Sequence, residues 1–340
     1  MVDRGAVLDR VRALAQASLV RWPLGEGASA RLLNVSENAT FLVEHGRDNR
    51  HVLRVHRGGY HSRAGIASEL AWLDALHADG GVITPQAQPG IDGERIQEGT
   101  VEGLDGPRHM VLFDFIEGVE PDESQDLVTP FRRLGEVSAR VHRHAETWTR
   151  PPWFERLVWV PEHVFGPDSY WGDWRHGPGV TESHLALLQR VEDEVTARLD
   201  GHGRGGDRFG LAHCDLRLAN LLLVGDSTRV IDFDDCGLSW FLYDLATALT
   251  LIDNLPQTPA LVAAWLEGYT PLRPLPREQR AMIATLVMMR RMAILAWMGT
   301  HPATDLARDF RSGFAEETCA MGEAWLSRPP SADDLLPWRV

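Results

Sequence analysis

The stretch HCDLRLANLL at 213–222, followed by VIDFDD at 230–235, decides the fold of this chain. It combines a His-x-Asp-Leu-x-x-x-Asn pattern with an apolar-Asp-Phe step. Asp215 and Asn220 are five positions apart (220 − 215), and Asn220 and Asp232 are twelve apart (232 − 220). Twelve positions are just enough for two short strands and a tight turn. A hairpin would therefore bring Asn220 and Asp232 together.

These residue types at this spacing suit phosphoryl transfer. One carboxylate, Asp215, would orient an attacking hydroxyl and take its proton, while Asn220 and Asp232 would offer oxygen atoms to Mg²⁺ beside the nucleotide phosphates. Taken singly, the three residues would pass as turn and strand-capping residues. Their joint spacing in a strand, loop and hairpin favours a kinase-type site.

The composition limits the classes of function. The chain has 340 residues, room for one large domain or two lobes, and its net charge is −14 from 34 basic and 48 acidic residues. We therefore expect no broad basic surface for nucleic acid or anionic lipid. Three cysteines without a CxxC pair fit a reducing, cytoplasmic location. An acidic cleft would suit a cationic substrate or a divalent metal.

Nothing in the sequence predicts a membrane segment. The N-terminus lacks the long apolar run of a signal peptide. The most apolar stretch, 281–298, is interrupted by Arg290 and Arg291 and is predicted to be a buried helix.

Periodicity predicts a small, mostly antiparallel sheet with one embedded helix, followed by a mainly helical region. In the first part we expect helices at 5–20 and 62–79 and strands at 31–35, 40–45, 51–56, 94–98 and 109–115. Later we expect helices at 127–143 and 182–199, an apolar run at 209–213, strands at 220–224 and 228–233, and three or four helices within 240–327. Leu238–Trp240 should run straight into a helix.

The segment 148–174 holds five of the twelve tryptophans. The favoured interpretation is a long connection packed on the helical region by aromatic anchors. The alternative is a wall of the substrate cleft, because long ordered insertions are often functional.

The motif segment resembles the aminoglycoside phosphotransferase/choline kinase family, and the resemblance covers most of the chain. VLRVHR at 52–57 is similar to the nucleotide-contacting strand, and VLFDFIEG at 111–118 to the hinge. WGDW at 171–174 resembles a subgroup similar to stress-response kinase A and type II homoserine kinases. The resemblance implies an α+β, two-lobed protein-kinase-like fold with a small antiparallel-sheet N-lobe at 1–115 and a mainly helical C-lobe at 116–340. ATP and Mg²⁺ would bind in the cleft between them.

Within the C-lobe, the resemblance assigns roles position by position. Asp215 would be the catalytic base, and His213 would brace the loop. Asn220 and Asp232 would hold Mg²⁺, and Asp234 would join the metal shell. Asp244 would tie the catalytic loop to the helix behind it.

Within the N-lobe, the resemblance implies a nucleotide site. Arg54 takes the place of the family's strand lysine, and Glu69 would hold it over the phosphates. The alternative is a surface arginine and a solvated glutamate. The turn containing Ser36, Glu37 and Asn38 would lie over the phosphates. Backbone groups from Asp114 to Ile116 would meet the adenine.

The expected function is transfer of the γ-phosphoryl group of ATP to a hydroxyl of a small molecule, with a small hydroxylated metabolite or amino alcohol as the first choice. A protein Ser/Thr kinase of the stress-response type is one alternative, although no Ala-Pro-Glu segment follows the Asp-Phe motif. A non-catalytic pseudokinase is the other, because Arg54, Cys214 and a missing glycine-rich loop depart from the family pattern. Oligomeric state is not predicted.

Overall fold

A computed structural model describes residues 4–35, 38–79, 81–121, 126–225, 227–302, 304–310 and 312–338. The chain divides into two compact units. The first comprises Met1–Asp79, Ile83–Glu117 and Arg150–Glu155, and the second Gly80–Val82, Gly118–Thr149 and Arg156–Val340. The division into an N-lobe at 1–115 and a C-lobe at 116–340 remains a prediction.

The first unit is built on a five-stranded antiparallel sheet in the order β1-β2-β3-β5-β4. Its strands are β1 (Ser29–Val35), β2 (Ala39–His45), β3 (Asn49–Val55), β4 (Gln97–Gly99) and β5 (Arg108–Asp114). Its helices are α1 (Arg4–Ser18) and α2 (Arg63–Ala78). These elements follow the predicted pattern, except that β4 begins three residues later than expected.

Local sequence explains this sheet. The turn between β2 and β3 contains Gly46 at φ +62°, a backbone conformation that favours glycine. Apolar residues of the sheet and of α1 form one core, which includes Leu14, Phe41 and Met110. The segment 150–155 belongs here because the Glu155 backbone N–H donates to Ser68 Oγ of α2 at 2.8 Å.

The second unit is mainly helical. Its helices are α3 (Val128–Thr147), α4 (Pro161–Val164), α5 (Glu182–His202), α6 (Tyr243–Ala248), α7 (Thr258–Tyr269), α8 (Arg277–Arg280), α9 (Ile283–Thr300), α10 (Asp305–Phe310) and α11 (Phe314–Leu326). Its strands are β6 (Leu157–Val158), β7 (Phe209–Ala212), β8 (Leu221–Val224), β9 (Ser227–Val230) and β10 (Gly237–Trp240).

One prediction for this unit was wrong, and one strand was not predicted. The described part of 240–327 contains six helices instead of three or four, because short connections divide the apolar stretches. Residues 238–240 lead into α6 after two residues, as predicted, but they also belong to β10, a strand that the sequence did not predict and that pairs with β6 and β7. Its pairing partners lie at distant positions in the chain, so the sequence around it carried no signal.

Helix α9 is the centre of the second unit. Every residue from Ile283 to Met298 is buried, including Arg290 and Arg291. The segment Arg277–Thr300 is apolar and long enough to cross a membrane by length and composition, but 94% of its apolar 18-residue window is buried inside the fold. It therefore has the burial of a core helix, as predicted.

Helices α3 and α7 approach each other at backbone distance. A Cβ atom added at Gly135 would collide with the carbonyl oxygen of Trp265, and one added at Gly268 would collide with that of Arg132. Glycine is therefore required at both positions. The close approach places His142 of α3 beside Tyr269 of α7, with His142 Nδ1 2.9 Å from the tyrosine hydroxyl.

Candidate active site

The predicted hairpin is present in the second unit. Strands β8 and β9 pair antiparallel with Leu221 opposite Val230. At the open end, the Ile231 backbone N–H donates to the Asn220 carbonyl at 3.0 Å, and His213 Nε2 lies 3.1 Å from the Ile231 carbonyl. The hairpin therefore brings Asn220 and the residue preceding Asp232 together, and His213 braces this junction.

Four consecutive backbone N–H groups of the loop after β7 each donate to a side chain. Asp244 of α6 accepts from His213 at 3.2 Å and from Cys214 at 2.7 Å. His213 Nδ1 accepts from Asp215 at 3.2 Å, and Thr247 Oγ1 accepts from Leu216 at 2.9 Å. Because buried backbone donors need partners, these bonds fix the loop conformation. The structural role predicted for Asp244 agrees with this geometry.

Asp244 is itself held by a buried chain of hydrogen bonds. His142 Nε2 donates to Asp244 Oδ2 at 2.9 Å, and the Tyr269 hydroxyl lies 2.9 Å from His142 Nδ1. Arg273 donates to the same hydroxyl at 3.0 Å, so the hydroxyl proton points to the histidine. Burial lowers the pKa of His142, although Asp244 opposes this shift. The imidazole is therefore neutral and donates to the carboxylate.

The Asp215 carboxylate is surrounded by donors. Arg290 Nη2 lies 2.6 Å from Oδ1, while Asn220 Nδ2 and Arg217 Nε lie 2.8 and 3.2 Å from Oδ2. Burial by itself raises the pKa of Asp215, but the charges of Arg290 and Arg217 outweigh it and hold the pKa below its usual range. The carboxylate is therefore ionised at neutral pH.

Two residues of the site have left-handed backbone conformations. Cys214 has φ +64° and Asp232 has φ +60°. This region is costly for residues other than glycine, and such strain concentrates at functional sites. Burial raises the pKa of the Cys214 thiol well above its usual value, so the thiol is protonated and unreactive.

The oxygen atoms of Asn220, Asp232 and Asp234 are suitable ligands for a hard divalent cation. Asn220 Nδ2 contacts two acceptors of Asp215, its carbonyl and Oδ2, both at 2.8 Å. The atom that contacts them must be the amide nitrogen, which leaves Asn220 Oδ1 for a cation. Asp232 follows on the hairpin, and the buried Asp234 lies in the 3₁₀ turn Phe233–Asp235. Oxygen ligands of this kind suit Mg²⁺ or Ca²⁺.

The first unit contains the other predicted residues. Arg54 Nη1 lies 2.7 and 3.0 Å from the two carboxylate oxygens of Glu69, and both side chains are buried. The predicted partnership is therefore present, and the alternative of solvated side chains is wrong. Arg54 also lies over the ring of Phe113, 5.0 Å from its centroid.

The remaining residues assigned to the nucleotide have separate local contacts. Asn38 Oδ1 accepts from the Arg57 backbone at 3.0 Å. The Asp114 backbone N–H donates to the Gln86 carbonyl at 2.9 Å, so that group is engaged within the unit. Ile116 follows β5 in a segment without regular structure. Ser36 and Glu37 lie outside the described residues.

Sequence reasoning missed Arg290 as part of the site. An arginine within an apolar helix was the available signal, because a buried charge requires a partner. The aromatic segment is also closer to the site than its favoured interpretation implied. Trp159, Trp171 and Trp174 are buried as packing residues, but Trp171 also lies under the Arg290 guanidinium, 5.0 Å from its ring centroid.

The sequence was compared with models of known protein families. Residues 30–281 match the model of the phosphotransferase enzyme family. The chain belongs to this family. The resemblance inferred from the sequence is therefore confirmed, and so is the protein-kinase-like α+β fold.

Individual proteins extend the comparison. A solved microcompartment-associated aminopropanol kinase has 42% sequence identity and a TM-score of 0.85, covering 95% of this chain and 98% of the other. Amicoumacin kinase of Bacillus subtilis (strain 168) is 26% identical over 67% of this chain and 65% of its own length. A structure of amicoumacin kinase hAmiN with AMP-PNP, Ca²⁺ and Ami has 19% identity and a TM-score of 0.73, covering 93% of both chains.

Family membership, together with this 42% identical neighbour, makes the chain an ATP-dependent phosphotransferase with an alcohol group as acceptor. The comparisons do not favour a protein kinase or a pseudokinase.

Proposed function

We propose that the acceptor is a short amino alcohol of the aminopropanol type, and that the residues identified above perform the transfer. The observation that carries the proposal is the 42% identity to an aminopropanol kinase over nearly the whole of both chains. The net charge of −14 favours a cationic acceptor in addition.

Asp215 is the base in this proposal. Its ionised carboxylate accepts a hydrogen bond from the acceptor hydroxyl and takes the proton as the reaction proceeds. The acceptor oxygen forms a bond to the γ-phosphorus, and the bond from that phosphorus to the β,γ-bridging oxygen breaks. The products are the phosphate monoester and ADP. His213, Asp244 and His142 keep the loop that carries Asp215 in place.

Arg54, Asn220 and Asp232 serve the nucleotide. Arg54, oriented by Glu69, contacts the phosphates, with Ser36, Asn38 and the segment from Asp114 to Ile116 assigned to the nucleotide by the family resemblance. Asn220 and Asp232, together with Asp234, hold the cation, for which Mg²⁺ is our choice. When bound, the cation offsets the charge that the phosphates carry.

The test is ADP release by the purified protein with Mg·ATP and a panel of acceptors: aminopropanol, ethanolamine, choline, homoserine, propane-1,2-diol and casein. We expect aminopropanol to give the highest kcat/KM, and Asp215→Asn to lower kcat by about 10²–10⁴-fold. A preference for another alcohol would retain phosphotransfer and overturn the acceptor. Activity on casein alone would overturn the small-molecule assignment.

Nucleotide binding is tested separately by calorimetry with AMP-PNP, with and without Mg²⁺. We expect binding that depends on Mg²⁺ and that Asp232→Ala abolishes. Binding that is equally tight in Asp232→Ala would overturn the metal assignment and leave the acceptor question untouched. The exposed Asp168 provides a control position for the same substitution.

A further inference from the structure

Arg290 contacts the carboxylate that the proposed function uses, although it lies 75 positions away in the sequence. Its side chain is 3% exposed, and Nη2 lies 2.6 Å from Asp215 Oδ1. Among the described residues, Arg290 is the sole hydrogen-bond donor to this oxygen, whereas Oδ2 receives two donors. Oδ1 therefore keeps a lone pair for a further donor, such as the acceptor hydroxyl.

The guanidinium is itself fixed on several sides. Arg290 Nε donates to Thr250 Oγ1 at 3.0 Å, and Thr250 Oγ1 donates to the Thr247 carbonyl at 2.7 Å. Thr247 also accepts from the backbone of Leu216, so one short segment holds both the arginine and the loop. The Trp171 ring covers the guanidinium face at 5.0 Å. A planar group held at its edge and face has little freedom to turn.

The surroundings of Arg290 are not optimised for stability alone. The Nη1 atom of Arg290 and the hydroxyl of Tyr243 are both buried; the two groups interact with each other, but within the described part of the chain neither atom makes a hydrogen bond of good geometry. A buried polar atom without a partner costs free energy, and native proteins contain few of them. The imperfect pairing of Arg290 with Tyr243 lies beside the proposed base, and poorly satisfied buried groups of this kind are often associated with a catalytic role.

We infer that Arg290 is a positioning residue, which orients the Asp215 carboxylate so that Oδ1 meets the acceptor hydroxyl. This inference rests on the proposed role of Asp215 as the base. Arg290 acts through Asp215 and does not itself need to contact the acceptor.

The neighbouring arginine of the same helix provides a matched control. Arg291 is equally buried, but it pairs with Asp253 at 2.5 Å and with Glu317 at 3.0 Å, and its Nε donates to Thr318 at 3.0 Å. Its partners lie on α11 and on the turns after α6, away from Asp215. If replacing any buried arginine of α9 were enough to lower kcat, the loss of kcat would therefore appear at both positions.

The experiment compares Arg290→Met, Arg290→Lys and Arg291→Lys with the wild type, using whichever alcohol the wild type turns over best. We expect Arg290→Met to lower kcat by about 10²-fold, the cost of a misplaced catalytic group, with the KM for ATP unchanged. Arg290→Lys should recover part of kcat, because an ammonium can still reach Oδ1. Arg291→Lys should keep kcat within about threefold of the wild type while lowering Tm.

A double-mutant cycle on kcat shows whether Arg290 acts through Asp215. In an Asp215→Asn background, Arg290→Met should cause almost no further loss. Additive losses, or a wild-type kcat in Arg290→Met, would overturn the inference.

If the wild type turns over no alcohol, the proposed function fails. The same double-mutant cycle is then measured on the free energy of unfolding from urea denaturation. Coupling between Arg290 and Asp215 there would support the pairing, and additivity would overturn it.

Discussion

Each of the two units contains a buried arginine–carboxylate pair that our proposals use, and the two pairs are built differently. Arg54 and Glu69 are 15 positions apart, on a strand and on the helix that follows it. Arg290 and Asp215 are 75 positions apart, on a core helix and on a loop. In the first pair, one nitrogen of Arg54 contacts both oxygens of Glu69. In the second, Asp215 divides its two oxygens among three donors.

The difference shows how far each pair depends on its surroundings. The pair of the first unit needs only a strand, a short connection and a helix to form. The pair of the second unit needs the Asp215 loop to be held by α6, α6 to be held by α3, and α3 to pack on α7. We therefore expect a substitution in the Arg54–Glu69 pair to affect its immediate surroundings. A substitution in α3, α6 or α7 should instead reach Asp215 through the contacts that connect these helices to its loop.

The largest expected effect tests the pair of the first unit. Glu69→Gln leaves the buried charge of Arg54 without its carboxylate, so the free energy of unfolding should fall by about 3–5 kcal/mol. Urea denaturation measures this change. Glu94→Gln is the matched control, since Glu94 pairs with Arg63 on the surface and should lose less than about 1 kcal/mol. Similar losses in both variants would contradict a tightly desolvated pair.

The next effect tests the chain of contacts in the second unit. His142→Gln removes the imidazole between Asp244 and Tyr269, and we expect the free energy of unfolding at pH 7 to fall by about 1–3 kcal/mol. His144→Gln, two positions along the same helix, is the control and should change it little.

The same variant should alter the pH dependence of stability. Burial lowers the folded-state pKa of His142 from 6.5, so the unfolded chain takes up a proton at higher pH than the folded protein does. His142 therefore favours the folded state fully above about pH 6.5, and this contribution decreases as the pH falls toward the lowered pKa. The free energy of unfolding, measured by urea denaturation at several pH values below 6.5, should fall more steeply with decreasing pH in the wild type than in His142→Gln. Identical slopes would show that His142 is not buried as a neutral ring.

The smallest effect concerns the backbone of the Asp215 loop. Cys214→Gly relieves a left-handed conformation that costs about 1–2 kcal/mol, but it loses a buried thiol and adds freedom to the unfolded chain. We expect a net change within about 1 kcal/mol and retained kcat. Cys236→Gly is the control, because Cys236 has φ −55° and nothing to relieve, so it should lose about 1–2 kcal/mol. Equal losses of unfolding free energy in Cys214→Gly and Cys236→Gly would show that the left-handed backbone of Cys214 has no energetic cost.

Most of the fold and part of the site could be predicted from the sequence because the relevant signals are local. The β2–β3 hairpin follows from alternation and a turn glycine, and the partnership of Arg54 with Glu69 follows from a strand and the next helix. Strand β10 was missed, since its identity depends on pairing with β6 and β7 and not on its own four residues.

The sequence by itself predicted phosphoryl transfer, because the joint spacing of Asp215, Asn220 and Asp232 favours few other uses. Only the tertiary structure decided what holds Asp215 in place. In the sequence, Arg290 was interpreted only as an interruption in an apolar, buried helix, and His142 was not assigned to the site. Their roles depend on contacts over 75 and 102 positions, with Asp215 and Asp244 respectively. Such contacts are fixed by the packing of helices, whose partners local periodicity does not specify.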